Sequence, residues 1–181
     1  MKASSSAFSV LDLFTIGIGP SSSHTVGPIR AAATFASSLA SVPVQVIRCD
    51  LFGSLADTGR GHGTDTAVIL GFMGYDPSTV PIDEVATLLR AVEDRSELIL
   101  PDGRRVGFTR KDHIIFHRGK NLGEHPNAMH FTAQAKDGSL LEEAVVYSIG
   151  RGFTLIEGEN VVVELPSTKT KKVIVQVNHH L

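Results

Sequence analysis

The sequence predicts an α+β fold, and two observations support this prediction. Before residue 95 the apolar residues recur at helical spacing, whereas after residue 95 they form short alternating or continuous runs. Turn signals at residues 101–103, 136–139 and 150–152 separate the later runs, and the connections are too short for crossover helices. Helices first and strands afterwards favour helices packed on a largely antiparallel sheet.

Helical periodicity dominates the first half of the chain. Apolar residues at i, i+3, i+4 and i+7 predict a helix over residues 25–40, directly after a serine-rich loop. Thr64 or Asp65 is expected to cap the next helix, which carries the apolar segment 67–73. The remaining predictions are a short turn over residues 9–14 and a helix over residues 82–94, with Ile82, Val85, Ala86, Leu89 and Val92 on one face.

Strand signals occur once between the helices and repeatedly after them. β-Branched residues over 44–51, bounded by proline and glycine, predict a strand that leads into a glycine-rich loop over residues 53–63. Residues 158–181 read either as one more strand or as a linker, so the domain is expected to span residues 1–157. Later strands are predicted near residues 97–100, 104–109, 112–118, 128–135, 140–149 and 153–157.

Composition argues against several classes of function. The chain has 181 residues, a net charge of −2 and 42% hydrophobic residues, which is typical of one globular domain and gives no general attraction for nucleic acid. A single cysteine, Cys49, forms neither an internal disulfide nor a site of several thiolates. The sequence has no apolar run of about 18 residues and no signal-peptide core, so we expect a cytoplasmic protein outside the membrane.

Three loops concentrate hydrogen-bonding groups beside glycines, and the first is GPSSSHT at residues 19–25. Its hydroxyls, with the unpaired N–H groups of the following helix, suit an anion such as a carboxylate or phosphate. His24 adds a group that carries a proton or a charge. Serine is also the usual N-cap residue, so a helix cap without further function is the alternative.

The second loop, GSLADTGRGHGTD at residues 53–65, is rich in glycine but matches neither the dinucleotide fingerprint nor the P-loop. It places His62 between two glycines, with Thr64 and Asp65 close by. An imidazole, a hydroxyl and a carboxylate are groups that general acid–base catalysis uses. The alternative is a surface histidine beside a helix cap.

The third loop covers residues 119–130 and contains the sequence His125-Pro126-Asn127. Because proline stiffens the loop, an imidazole and an amide can be held toward a ligand, with an exposed polar turn as the alternative. The four histidines of this region suggest metal ligands, but their spacing does not match a metal-binding motif, so no metal site is expected in this chain. The histidines of this region are His113, His117, His125 and His130.

Residues 101–125 carry six cationic side chains against three acidic ones. Alternating strand faces would divide these charges, so we interpret most of them as a solvated face of the sheet. Binding of an anionic effector or partner is the alternative. The cationic residues are Arg104, Arg105, Arg110, Lys111, Arg118 and Lys120.

Taken in order, IGIGPSSSHT at residues 16–25, GSLADTGRGHGTD at residues 53–65 and EHPNAM at residues 124–129 resemble signature segments of the β part of bacterial iron–sulfur L-serine dehydratases. The resemblance covers most of residues 9–157. It implies a β-elimination in which L-serine loses its Cα proton and its hydroxyl, and the aminoacrylate hydrolyses to pyruvate and ammonia. It also implies a mixed sheet with helices on one face, like the effector-binding domain of some phosphoglycerate dehydrogenases.

The same resemblance implies a 4Fe-4S cluster and no pyridoxal phosphate. The cluster belongs to a separate α part of the family, where one open iron acts as a Lewis acid on the departing hydroxyl. Since one cysteine cannot hold it, the chain is expected to be a β subunit or a piece of a longer enzyme, inactive alone. The expected partners are L-serine, the α part and a second copy in a homodimer.

Two groups of site residues follow from the resemblance. The catalytic group is His62, Thr64, His125 and Asn127, with either histidine as the proton carrier. The substrate-binding group is Ser21, Ser22, Ser23, His24, Thr25 and Asp65. A regulatory module that binds L-serine as an activator and forms the dimer interface is the alternative, and a plain scaffold for the α part is the third possibility.

Overall fold

Helices and strands follow one another in the predicted order in the computed structural model, which describes residues 21–123, 125–150 and 153–156. The turn predicted over residues 9–14 and the strand or linker predicted over residues 158–181 lie outside the described residues. None of the described helices has the length and apolarity to span a bilayer. The helices are α1 (Val26–Ser38), α2 (Ser54–His62), α3 (Thr64–Phe72), α4 (Val85–Arg95) and α5 (Arg110–His113), with a 3-10 helix at Ile82–Glu84.

The strands form one mixed sheet in the described part of the chain. They are β1 (Val46–Gly53), β2 (Glu97–Ile99), β3 (Arg105–Gly107), β4 (Ile114–His117), β5 (Asn127–Gln134), β6 (Leu140–Gly150) and β7 (Phe153–Ile156), in the order β2-β3-β1-β5-β6-β7 with β4 also on β1. The α+β prediction with a mixed, largely antiparallel sheet is therefore confirmed.

Short connections produce the antiparallel pairs β2–β3, β5–β6 and β6–β7, as predicted. β1 differs, because it pairs in parallel with β3 and β4 on one edge and antiparallel with β5 on the other. The parallel pairs arise because α2, α3 and α4 lie between β1 and its later partners, which allows the chain to cross over and return in the same direction.

Alternation along β1 and β5 builds the core on one face of the sheet. Ile47, Cys49 and Leu51 on β1 are fully buried, and Cys49 lies opposite Phe131 of β5. The Phe131 ring stacks on Phe35 of α1 at 5.3 Å between centroids. Helices therefore cover this face, whereas side chains such as Arg48 and Thr132 on the other face stay partly exposed.

The glycine-rich segment is helical, so the prediction of a loop over residues 53–63 is wrong. α2 occupies Ser54–His62 and is bounded by Gly53 and Gly63, both at positive φ. Tertiary packing outweighs the low helix propensity of its internal glycines, because one side of α2 is pressed onto the sheet. The buried residues on that side are Leu55, Ala56 and Gly59.

The cap predicted for α3 is also wrong. Gly63 is the N-cap residue, and no side chain caps this helix. The Thr64 hydroxyl is buried and donates to the His24 carbonyl instead, and Asp65 accepts from the N–H of Thr66. A left-handed glycine thus makes the turn between two consecutive helices and releases the polar side chains for other partners.

Two further element predictions need correction. The helix predicted over residues 82–94 exists, but it starts as a 3-10 turn in which Ile82 is exposed, and Val92 is its buried residue. The strand predicted over residues 112–118 is interrupted: Thr109 caps the short α5, and only Ile114–His117 is extended. The Thr109 hydroxyl accepts from the N–H of Asp112, which favours a helical turn there.

α1 and α3 approach each other closely at Gly71. A Cβ at this position would lie 2.3 Å from the carbonyl oxygen of Ile29 and 2.7 Å from the Cβ of Ala32. We expect Gly71→Ala to lower the free energy of unfolding by about 1–3 kcal/mol, because backbone must move to admit the methyl group. Urea unfolding followed by circular dichroism measures this change.

Gly61 provides the matched control, since it is also helical and a Cβ there would meet no described atom within 4 Å. Gly61→Ala should be neutral or should stabilise the chain by roughly 0.5–1 kcal/mol through higher helix propensity. Equal destabilisation by both substitutions would contradict this account of the α1–α3 contact.

Candidate functional site

The buried imidazole of His24 lies where two of the sequence motifs meet. Its Nδ1 atom lies 3.0 Å from the Ser23 hydroxyl and 3.3 Å from the Ser21 hydroxyl. Its Nε2 atom lies 3.0 Å from Thr58 Oγ1 and 3.3 Å from the Ser54 carbonyl oxygen. The serine segment before α1 is therefore tied through one side chain to the first turn of α2.

These partners assign the protons on His24. The Thr58 hydroxyl already donates to the Ser54 carbonyl, at 2.9 Å, so Thr58 Oγ1 and that carbonyl oxygen act as acceptors toward Nε2, and the Ser54 hydroxyl, 3.2 Å from Nε2, can accept as well. Nε2 therefore carries the hydrogen, and Nδ1 accepts from a serine hydroxyl. Burial lowers the pKa of His24 below its ordinary value, the bond to Ser54 acts in the opposite direction, and the nearby His62 lowers the pKa further. His24 is thus a neutral structural link at pH 7.

His62, the last residue of α2, stacks obliquely against His24 with ring centroids 4.7 Å apart. Its Nδ1 atom lies 2.9 Å from the carbonyl oxygen of Thr58. Since a carbonyl oxygen only accepts, Nδ1 is the protonated nitrogen of the neutral ring and Nε2 keeps its lone pair. The ring is partly exposed. His62 therefore offers an oriented proton acceptor at the surface, which is what a general base requires.

Two threonines of the predicted site hold backbone in place. Thr64 is 0% exposed and donates to the His24 carbonyl oxygen at 2.8 Å. Thr25 is also buried, and its hydroxyl donates to the Ser21 carbonyl oxygen at 2.8 Å. Neither hydroxyl faces solvent, so their contribution is to fix the segment that carries the serines. Ser22, by contrast, is exposed.

His125 and Asn127 lie next to the start of α2. The carbonyl oxygen of Pro126 accepts from the N–H of Ser54 at 2.7 Å, and a Cβ on Gly53 would lie 2.1 Å from that same oxygen. Only glycine allows this approach, at a φ of +56°. The third motif is thereby joined to the second through backbone groups.

The side chains of this third motif are oriented differently from His62. Nδ1 of His125 accepts from the N–H of Asn127 at 3.1 Å, so the neutral ring carries its hydrogen on Nε2. Burial lowers the pKa of His125. The amide nitrogen of Asn127 donates to the Ser148 carbonyl oxygen, while Oδ1 is buried without a hydrogen-bond partner among the described residues. Buried acceptors normally have a donor, so this oxygen is an exception within the described residues.

Ser148, on β6, is a site residue that sequence reasoning missed. It is 0% exposed, and its hydroxyl donates to the Ser23 carbonyl oxygen at 2.8 Å while its own carbonyl binds Asn127. A Cβ on Gly27 would lie 2.0 Å from this hydroxyl, so α1 packs directly on it. No local pattern marks one serine within a strand. Ser54 and Thr58 were hidden by the incorrect loop prediction, although their i, i+4 spacing suits one face of a helix.

Asp65 is not brought together with the histidines. Its carboxylate forms an ion pair with Arg110 at 3.0 Å. The other histidines are also dispersed: His117 lies 2.6 Å from Asp50 and His130 lies 3.0 Å from Glu143. Within residues 21–123, 125–150 and 153–156, no three His, Cys, Asp or Glu side chains converge as a metal-ligand set.

Comparison with known proteins connects this geometry to a family. A family model described as "Serine dehydratase beta chain" matches residues 9–159. The chain belongs to this family. The resemblance found in the three motifs is therefore confirmed, and all the site residues proposed from it lie inside the matched segment.

Individual members of the serine dehydratase family are similar over the same region. The chain is 43% identical to L-serine dehydratase 1 of Escherichia coli over 154 residues, which cover 82% of this chain and 34% of the relative. It is 41% identical to L-serine dehydratase of Streptomyces coelicolor over 155 residues, covering 83% and 34%. The chain thus spans about a third of the length of the curated relatives it matches.

His24, which is buried, and His125, which is partly buried, should titrate below the ordinary histidine pKa of about 6.5. Their folded pKa values are lowered, so the unfolded chain binds more protons in this range. Stability should be constant above about pH 6.5 and should fall as the pH decreases toward the folded values. NMR titration of the His24 and His125 ring protons, with urea unfolding at pH 7.5 and 5.5, measures both effects. Midpoints at or above 6.5 would contradict the assignment.

Proposed function

We propose that this chain is the β part of an L-serine dehydratase, which converts L-serine into pyruvate and ammonia together with an α part. One observation carries the proposal: three separated motifs meet around His24, where Ser23, Ser54 and Pro126 are joined by hydrogen bonds. A scaffold without a site would not need side chains of two distant segments and the backbone of a third to converge around one buried imidazole. The family membership adds the reaction class.

The α part would hold the iron–sulfur cluster. Cys49 does not fit a cluster ligand, because it is fully buried on the helix-covered face of β1 and burial raises the pKa of its thiol. The relatives are about three times as long as the matched segment, which leaves room for an α part. When bound there, the cluster supplies a Lewis acid for the departing hydroxyl. We place the β unit in residues 1–157 and the connection toward the α part in residues 158–181.

The proton chemistry then falls to the residues of this chain. We assign proton abstraction from Cα to His62, because its Nε2 atom has no hydrogen-bond partner among the described residues and its Nδ1 is fixed by the Thr58 carbonyl. His125 presents Nε2–H and suits the substrate carboxylate. The unpaired Oδ1 of Asn127 suits the substrate ammonium group.

The serine segment would line the substrate pocket from the other side. Ser21, Ser22 and Ser23 supply hydroxyls, while His24, Thr25 and Thr64 hold that segment at its position. Asp65 does not fit the pocket, since its carboxylate is engaged by Arg110. We also propose that this chain forms a homodimer with a second copy of itself.

The decisive test measures pyruvate from L-serine under anaerobic conditions, with this chain combined with a cluster-loaded α part. Neither part should be active alone. His62→Gln should lower kcat at saturating L-serine by roughly 100- to 10,000-fold, because glutamine keeps a polar side chain but cannot accept the proton. His130→Gln is the matched control, because His130 pairs with Glu143 outside the site and its loss should leave kcat nearly unchanged.

The alternative, a regulatory module that binds L-serine, makes a different prediction for the same variant. Activity of His62→Gln would return at high L-serine, or only the lag before steady state would change. Unchanged kinetics in His62→Gln would favour a plain scaffold. A normal kcat for His62→Gln, whether only at high L-serine or at every L-serine concentration, would overturn the catalytic assignment of His62.

A second variant tests whether the α part approaches the glycines around His62. Gly61→Ala adds a methyl group that meets no atom of the described chain within 4 Å. We therefore expect Gly61→Ala to keep the stability of this chain while lowering the activity of the combined enzyme at least tenfold, by blocking the approach of the α part. Pyruvate formation and pull-down of the α part measure the effect, and full activity would place the α part elsewhere.

A further inference from the structure

A cavity of about 510 Å³ lies on the chain away from the His24 site. It shares no residue with the hydrogen-bond network of His24. Arg60 lies on it, and because residues i and i+2 of a helix point in different directions, Arg60 and His62 face different sides of α2. The lining residues are Arg60, Asp65, Glu93, Thr109, Arg110, Lys111, Ile114 and Phe116.

Arg110 is held between two carboxylates in this cavity. It pairs with Asp65 at 3.0 Å through one terminal nitrogen, and its Nε atom lies 3.4 Å from a carboxylate oxygen of Glu93. The second contact is an ion pair without hydrogen-bond geometry, so the buried Nε–H has no acceptor among the described residues. A buried donor left in this state indicates a missing acceptor.

Two other cations line the cavity without a carboxylate partner among the described residues. The Arg60 guanidinium lies over the Phe116 ring, 5.1 Å from its centroid, which holds the group by a cation–π contact. Lys111 is exposed beside Arg110. Since Asp65 and Glu93 are directed at Arg110, the positive charges of Arg60 and Lys111 are left for an outside anion.

We propose that this cavity binds a small molecule through an oxyanion group, a carboxylate or a phosphate, contacted by Arg60 and Lys111. A guanidinium donates two parallel hydrogen bonds to either group, and an ammonium adds a point charge. This interpretation gives a function to part of the basic segment at residues 101–125. It does not rest on the proposed dehydratase activity.

The test uses the full chain with inorganic phosphate and with acetate, at constant ionic strength adjusted with sodium chloride. Saturable ¹H–¹⁵N shifts at the amides of Thr109, Arg110 and Lys111 are expected with at least one of the two anions. Saturation by phosphate alone identifies a phosphate site, and saturation by acetate alone identifies a carboxylate site. Shifts that grow linearly with both anions, or no shifts at these amides, would overturn the proposal.

Matched variants locate the binding. Arg60→Gln and Lys111→Gln should each raise the Kd about tenfold or more, since each removes a charged hydrogen-bond donor. Arg118→Gln and Lys136→Gln remove the same charges outside the cavity and should leave the Kd unchanged. Equal effects of all four substitutions would show a general charge effect and overturn the site. Arg60→Lys keeps the positive charge and should bind the anion more tightly than Arg60→Gln does. Unchanged ¹H–¹⁵N spectra outside the cavity confirm that each variant folds.

Discussion

The antiparallel pairing of β1 with β5 is the constraint on which the rest of the site depends. The two strands pair from Val46 opposite Gln134 to Gly53 opposite Asn127. Because this register ends at Gly53, the chain that enters α2 and the chain that leaves the His125 loop meet at one point. Their backbone groups then bond directly, with Gly53 donating to the Lys120 carbonyl and Ser54 to the Pro126 carbonyl. A shift of one residue would turn the core residues of β1 to the opposite face.

The polar groups around this junction are of two kinds. Buried groups hold the backbone of the serine-carrying segment in place, and partly exposed groups are available for chemistry. Thr25, Thr64 and Ser148 are buried, and each donates its hydroxyl to a carbonyl of the segment that carries the serines. Each such bond satisfies a backbone acceptor that would otherwise be buried without a partner. Three side-chain hydrogen bonds thereby position the loop before α1, and such positioning is what a preorganised site requires.

Hydrogen bonding also gives the two partly exposed histidines, His62 and His125, different properties. His62 uses Nδ1 as a donor to a carbonyl, whereas His125 uses Nδ1 as an acceptor from an N–H. Their neutral rings consequently present a lone pair in one case and a hydrogen in the other. Sequence inspection gave both residues the same weight, because each tautomer depends on local backbone geometry: a helical turn places the Thr58 carbonyl at His62, and the turn at Pro126 places the Asn127 N–H at His125. Glycines at positions 53 and 63 make these partnerships possible by taking positive φ.

Sequence alone determined the fold class, most strands, the main helices and the family, because these depend on local periodicity, turn chemistry and short motifs. It also made His24, His62, His125 and Asn127 candidate site residues, because each belongs to one of the three motifs. Only the tertiary structure decided that the glycine-rich segment is helical, because packing of Leu55 and Ala56 onto the sheet outweighs local propensity.

Contacts between distant segments decided the rest. Asp65 pairs with Arg110, 45 residues away, rather than with the histidine three residues before it, and Ser148 reaches Ser23 across 125 residues. His62 ends α2 and Asp65 belongs to α3, so the turn at Gly63 separates the two side chains, while a strand register joins groups that are distant along the chain. The long-range partners of Asp65 and Ser148 are therefore set by tertiary packing, and no local pattern in the sequence encodes them.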